Sequence, residues 1–412
     1  MNIKADLNQN NRSPRTQTSE ANSKEKLTIE RLLNSDSRPV RQAATKATPQ
    51  INFMQVRPRL KQGTIVLTRE HSTYVGRMDQ GIEIFSDTRT ALSSMVGDST
   101  CQEIATKRGL DLAELCELVL VLAQAHLIDT EISKIAVHSR FHSNNSNRVS
   151  HTSDDTHDGA YQQLQAKLSP ELAFTTWLPK VVDGGVGIMG ARRNIRVEIY
   201  GDSRIAILLY GILLASGVSL ARIVVKDPRN IRETDVTANF LRPTDIGFSM
   251  QDRLQECVRE LSLFPTSTSI SAEIVERTFV ISVGPPQAIL VQEWMSRGIP
   301  HLAIDNPDGA SISLGPIVVP GYSPCLRCIA MSKEENSGSW KDISWQRLNS
   351  PSQDVPVAVA HHVAGLAALE ILHFIDEGES ELIGVSERIN YHNPREGERR
   401  LFTRHPACGC NW

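Results

Sequence analysis

The chain has 412 residues, of which 40% are hydrophobic and 22% charged, and a formal net charge of −3. That length holds two or three domains with their own cores, and the charge balance argues against a generally basic nucleic-acid binder. No apolar run reaches the roughly 18 residues that a membrane helix needs, and the first residues lack the apolar core of a signal peptide. A cytoplasmic protein with no membrane partner is expected.

Residues 1–50 are dominated by Asn, Ser, Thr, Gln, Lys and Arg, with one apolar patch at Ile29-Glu30-Arg31-Leu32-Leu33. Such a segment buries too little to offset its ordering entropy, so a disordered tail is expected. From residue 51 the pattern changes. Runs at 64–67, 73–75 and 82–85 are rich in β-branched and aromatic residues and are separated by Gly63, Gly76 and Asp79-Gln80-Gly81. They predict a small antiparallel sheet. Ser86 or Asp87 then opens a helix running through Val96. Thr100-Cys101-Gln102-Glu103 has capping-box spacing and opens a second helix ending at Gly109, and Asp111 opens a third. Three strands and three helices over 51–135 make a small winged-helix (α+β) domain.

A winged helix raises the question of DNA. Residues 51–130 hold eight Lys or Arg against ten Asp or Glu, and the third helix has no basic residue. Phosphate neutralisation, the main source of nonspecific DNA affinity, is therefore missing. The other use of such a module is to accept an extended peptide as an added strand, and no nucleic-acid partner is expected. Residues 136–164 are rich in His, Ser, Asn and Asp without a repeated ligand spacing, and read as a flexible linker.

The segment 165–412 declares an α/β class. A strand at 196–200, the turn Gly201-Asp202-Ser203, an almost wholly apolar helix at 204–216 and a strand ending at Asp227 form one βαβ unit of a doubly wound, Rossmann-like fold. Asp227 stands where a nucleotide ribose would lie. Where a dinucleotide or ATP turn has Gly-x-Gly-x-x-Gly, this chain has Gly201, Ser203 and Ala206. Ser203 adds atoms where backbone must approach phosphate.

Four of the seven cysteines form two close pairs, Cys325/Cys328 and Cys408/Cys410. Four thiolates match the tetrahedral shell of structural zinc. A disulfide pair is the competing reading, but three further cysteines and no secretory signal favour a reducing compartment. His361, His362 and His373, on a helix from 357 to 375, have no acidic partner at ligand spacing and are read as solvated or core histidines. Trp340 and Trp345 are read as pins for a crossover segment, or as anchors for a partner.

The βαβ start, Asn230-Ile231-Arg232-Glu233, the strand Phe279-Val280-Ile281-Ser282-Val283 and the run Val319-Pro320-Gly321-Tyr322-Ser323-Pro324-Cys325-Leu326-Arg327-Cys328 resemble the ThiF-type, ubiquitin-activating-enzyme-like fold. The ending His405-Pro406-Ala407-Cys408-Gly409-Cys410 and Gly315-Pro316-Ile317-Val318 narrow the resemblance to the partner proteins of thiazole/oxazole-modified microcin biosynthesis, the bacteriocin cyclodehydratase-domain proteins. The resemblance implies a protein that binds the leader of a ribosomal precursor peptide and presents the core to a YcaO-type ATP-dependent cyclodehydratase. It also implies a homodimer. Active adenylating members hold ATP phosphates with an arginine and a lysine, and magnesium with an aspartate. The matching positions here carry Ala238, Phe248-Ser249-Met250, and Ser282 with Pro285-Pro286, so the chain is expected to have a degenerate ATP site and no catalytic residue of its own. Arg204 and Arg242 lie close enough in sequence to stand in, which keeps an ATP-dependent adenylyltransferase as the alternative. A winged-helix regulator is a third reading, disfavoured by the acidic third helix.

Overall fold

The computed structural model describes residues 53–85, 88–131, 154–225, 227–264, 277–349, 353–395 and 397–410. The expected tail, and the expected linker up to residue 153, lie outside the described residues. The chain divides into two compact units, Met1–Gly190 and Ala191–Trp412.

In the first unit, β1 (Arg59–Leu60) is followed by β2 (Ile65–Thr68), β3 (Thr73–Gly76) and β4 (Gly81–Ile84). These last three form an antiparallel sheet in the order β2-β3-β4. Next come α1 (Arg89–Ser93), α2 (Cys101–Arg108), α3 (Leu112–Gln124), β5 (Ile128–Asp129), which pairs with β1, and α4 (Asp154–Thr175). The capping box forms as its spacing predicts: Glu103 N–H donates to Thr100 Oγ1 at 3.2 Å and Thr100 N–H to Glu103 Oε2 at 2.8 Å. Gly109 closes α2 in the left-handed region at φ 65°. The first helix is shorter than expected. It stops at Ser93 because the chain turns extended alongside β1, where Leu60 N–H donates to Met95 O and Val96 bridges Arg59. Val75, Ile84, Met95, Leu118, Val119 and Leu122 form the core. Residues 154–164, read as linker, are helical and begin α4, which buries Leu164 and Leu168 one turn apart.

Helix α5 (Val186–Asn194) leads into the second unit. There β6 (Ile195–Tyr200), α6 (Arg204–Ala215), β7 (Leu220–Val224), α7 (Met250–Leu261), β8 (Arg277–Val283), α8 (Ala288–Ser296) and β9 (His301–Ile304) alternate in sequence. They are followed by β10 (Ser311–Val318), α9 (Leu326–Ser337), α10 (Trp340–Asn349), α11 (Val357–Glu377), β11 (Val385–Asn390) and β12 (Glu398–Leu401). One seven-stranded sheet runs β12-β11-β10-β9-β8-β6-β7. It is parallel from β7 to β9 and antiparallel from β9 to β12. The fold is therefore mixed α/β, with a Rossmann-like half whose strands are joined through helices and a meander-like half that returns the chain end toward α9.

Helix α6 is buried nearly all round and packs along α11. On length and composition α11 is apolar enough to cross a membrane, which corrects the reading that no such run exists. Small residues on its inner stripe, Ala360, Ala364, Ala367 and Ala368, are buried and allow the close approach to α6. That packing is what a core helix makes.

Candidate functional site

The cysteine cluster is built by two turns. After β10, Val319 N–H donates to Ser323 Oγ at 2.8 Å, shaping the turn that delivers Cys325 to the N-cap of α9, with Cys328 one turn further on. After β12, His405 fixes the second turn. Its Nδ1 accepts from Ala407 N–H at 3.2 Å, so Nε2 carries the proton and faces Glu335 Oε1 at 2.8 Å. Cys408 N–H donates to His405 O, and Gly409 takes φ 72° between the two ligand positions.

The sulfurs of Cys325 and Cys408 lie 3.5 Å apart, those of Cys328 and Cys410 3.4 Å, and those of Cys325 and Cys328 3.7 Å. All four fall within 4.8 Å of one another. A tetrahedral ion with sulfur at about 2.3 Å needs edges of about 3.8 Å, so the cluster fits a metal such as zinc with little adjustment. Val318, Met295, Leu326 and Met331 pack round it. Burial pushes the Cys408 and Cys410 thiols up. At Cys328 the same burial is outweighed by hydrogen bonds from the backbone of His405 and from the Cys410 thiol, which bring it down to about 7.

The turn expected to face a nucleotide lies between β6 and α6. Gly201 is required there: at φ +127°, an added Cβ would stand 2.6 Å from Val283 O on β8. Ala206 is buried against the sheet, Asp227 is exposed just beyond β7, and the buried Ser203 Oγ has no hydrogen-bond partner among the described residues. Nearby cations are already committed. Arg229 makes a two-pronged pair with Asp235 at 2.6 and 3.1 Å, and its Nε bonds the carboxylate of Asp202 inside the turn itself. Burial would raise the Asp235 carboxyl, but Arg229 and Arg232 hold it below the ordinary carboxylate value. Arg204 donates to Thr234 O at 2.7 Å and Val355 O at 2.8 Å. Ala238 stands at φ 51° with its carbonyl 3.3 Å from His361 Nε2, and Met250 is buried in α7. A carboxylate at position 202 and cations neutralised internally leave little positive potential for phosphate. Ser282, where an aspartate would hold magnesium, donates to Gly284 O.

A third feature is a cavity of about 810 Å³ in the second unit, lined by Pro285, Pro286, Val291, Met295 and Trp340 and floored by the cysteine cluster. At its rim Arg347 meets Asp305 at 3.4 Å. Close by, Lys333 Nζ lies 4.1 Å over the Trp340 ring. Trp340 is thus a wall of the cavity, whereas Trp345 is exposed. His373 has an acidic neighbour after all, Glu377 at 3.5 Å, but His361 bonds backbone carbonyls and, among the described residues, no histidine joins the four cysteines. Sequence reasoning placed the cysteines and the turn but missed Asp202, Arg229, Asp235, His405 and the cavity. Asp202, in the turn after the first strand, and His405, in the run ending at Cys410, stood in stretches the sequence reading singled out.

Solved structures share this mixed α/β fold. Escherichia coli MccB, crystallised with AMPCPP and MccA, is 15% identical with a TM-score of 0.51, over 86% of this chain and 99% of that one. The microcin C7 biosynthetic enzyme MccB in complex with N-formylated MccA matches over the same shares at 15% identity and a TM-score of 0.50. PaaA matches at 14% identity and a TM-score of 0.53, over 83% of this chain and 99% of that one. No protein-family model and no curated protein matches the sequence.

Proposed function

We propose that this chain binds the leader of a ribosomally made precursor peptide and presents the core to a separate YcaO-type cyclodehydratase, supplying proximity rather than chemistry. The observation that carries the reading is the pairing of an MccB-like fold with a nucleotide turn whose neighbouring arginines are spent on Asp202, Asp235 and backbone carbonyls. Tethering the leader raises the local concentration of the core at the partner's active site, which accelerates reaction without a catalytic group on the tether. The cysteine cluster holds one structural zinc and pins the segment after β12 to α9.

The first unit is the docking module, a winged helix. β4 is a free edge of its sheet among the described residues, and its Ile82 is partly buried against the core. Arg77 N–H bonds Gln80 O across the hairpin, so by antiparallel alternation Gly81 and Glu83 turn their backbone N–H and C=O outward. An extended peptide adds there as a fourth strand. Fluorescence anisotropy of a labelled precursor peptide against the full chain tests this. Binding is expected to persist when the core is deleted. It should weaken about tenfold or more, roughly 1.4 kcal/mol, in Glu83→Pro relative to Glu83→Ala, since both lose the Arg69 ion pair and only proline loses the outward N–H. Equal affinity in the two variants would remove β4 as the docking edge.

An adenylyltransferase is the second reading, favoured by MccB having been crystallised with AMPCPP and by Arg242, whose guanidinium has no carboxylate within ion-pair distance among the described residues.

A further inference from the structure

Cys325, Cys408 and Cys410 do more than cluster: all three line the 810 Å³ cavity, while Cys328 lies behind them, fully buried and outside its wall. Cys410 is only half-buried. A structural zinc site is ordinarily closed on every side. Here a space large enough for small organic molecules opens on one face of the sulfur tetrahedron.

The distances give each cavity-facing sulfur of the 408–410 turn a near partner on α9. Cys410 is 3.4 Å from Cys328 and Cys408 is 3.5 Å from Cys325, both shorter than the 3.7 Å between the two cysteines of α9. Closing either crosswise pair to a bond of about 2.05 Å takes a smaller shift than closing the α9 pair.

We propose that this centre is a peroxide-modification site at which hydrogen peroxide entering through the cavity converts the four zinc thiolates into two crosswise disulfides, Cys328–Cys410 and Cys325–Cys408. The proposal rests on the zinc reading. The Cys410 sulfur attacks one peroxide oxygen, the O–O bond breaks, and a sulfenic acid forms as hydroxide leaves. The Cys328 thiolate then attacks that sulfur, forms the S–S bond and expels a second hydroxide. Cys408 and Cys325 repeat the sequence. In sum two peroxides are reduced, four thiolates are oxidised to two disulfides, four protons from solvent complete four waters, and zinc leaves as Zn²⁺ without changing oxidation state. Because each disulfide joins the 408–410 turn to α9, the tether outlives the metal.

The test treats the zinc-loaded full chain with hydrogen peroxide, follows zinc with a chromogenic chelator, and maps disulfides on alkylated peptides. Release of about one zinc per chain, together with both crosswise bonds and recovery by dithiothreitol plus zinc, is the expected result. Ala330→Phe and Ser344→Phe, which narrow the cavity from two different helices, should start with the same zinc content and release it several-fold more slowly. Retained zinc, sulfinic acids in place of disulfides, or a Cys325–Cys328 bond would overturn the proposal, as would unchanged release in both variants. Absence of zinc from the untreated protein would instead overturn the zinc reading beneath it.

Discussion

His301 begins β9 with its ring fully buried, Nδ1 donating to Ile299 O at 3.0 Å, Nε2 without a hydrogen-bond partner among the described residues, and its centroid 5.3 Å from that of Trp294. Burial holds it down at about 4, against which the Ile299 hydrogen bond acts only weakly. The neutral form is therefore the folded form. The unfolded chain takes up a proton near pH 6.5 and the folded one not until about 4, so this stabilisation is complete above 6.5 and is lost as pH falls toward 4. At 1.36 kcal/mol per unit the loss is roughly 3 kcal/mol. Urea midpoints measured at pH 7 and pH 4.5 should differ more in the native protein than in His301→Phe, which keeps an aromatic ring and cannot titrate. Residues such as this were not legible in the sequence, where one histidine looks like another. The four cysteines were, because close pairs of thiols carry a chemistry that spacing alone displays. Arg229 was hidden for a further reason: its partners Asp202 and Asp235 come together only once the segment after β7 folds back over the turn after β6.

At the scale of elements, local signals served best where a side chain acts on its own helix. Thr100 and Glu103 satisfy each other's backbone, so Thr100→Ala should destabilise the protein by about 1 kcal/mol in thermal or urea melts, with Thr100→Ser nearly silent. Elements set by neighbours were less readable. The stretch after α1 turns extended because β1 offers it a backbone partner 35 residues upstream, through Leu60 N–H and Met95 O. Helix α4 reaches back to Asp154 through residues whose polar composition suggested linker, with Leu164 and Leu168 the only clear apolar repeat near its middle. The antiparallel return through β11 and β12 had no sequence mark comparable to the βαβ unit, since β11 is mostly half-buried and β12 is exposed and mostly charged.

For the whole molecule, the decisive contrast is between a fold suited to nucleotides and a turn with an aspartate in it. Calorimetric titration of the zinc-loaded protein with MgATP is expected to give no heat, with an unchanged melting temperature at millimolar nucleotide, because bound ligand would raise it by linkage. Micromolar binding that disappears in Arg242→Ala would revive the adenylyltransferase reading and shift attention to pyrophosphate exchange. Either result leaves the proposed docking at the three-stranded sheet open to independent test, since the edge in question is β4 of the first unit.

The change from parallel to antiparallel pairing at β9 also divides the second unit by how each part is held in time. β6 and β8 lie inside the sheet with neighbours on both sides, whereas β12 has a single neighbour and is followed directly by the cysteine turn that ties it down. Withdrawing the metal with a strong chelator should therefore open the molecule from one margin. Amide hydrogens of β11 and β12 should exchange within the experiment while those of β6 and β8 remain protected. A protein that loosened everywhere at once would make the metal a condition of the entire fold. Loosening confined to that margin would make it a local clasp, so that the first unit and the parallel half of the sheet keep their form through cycles of metal loss and return.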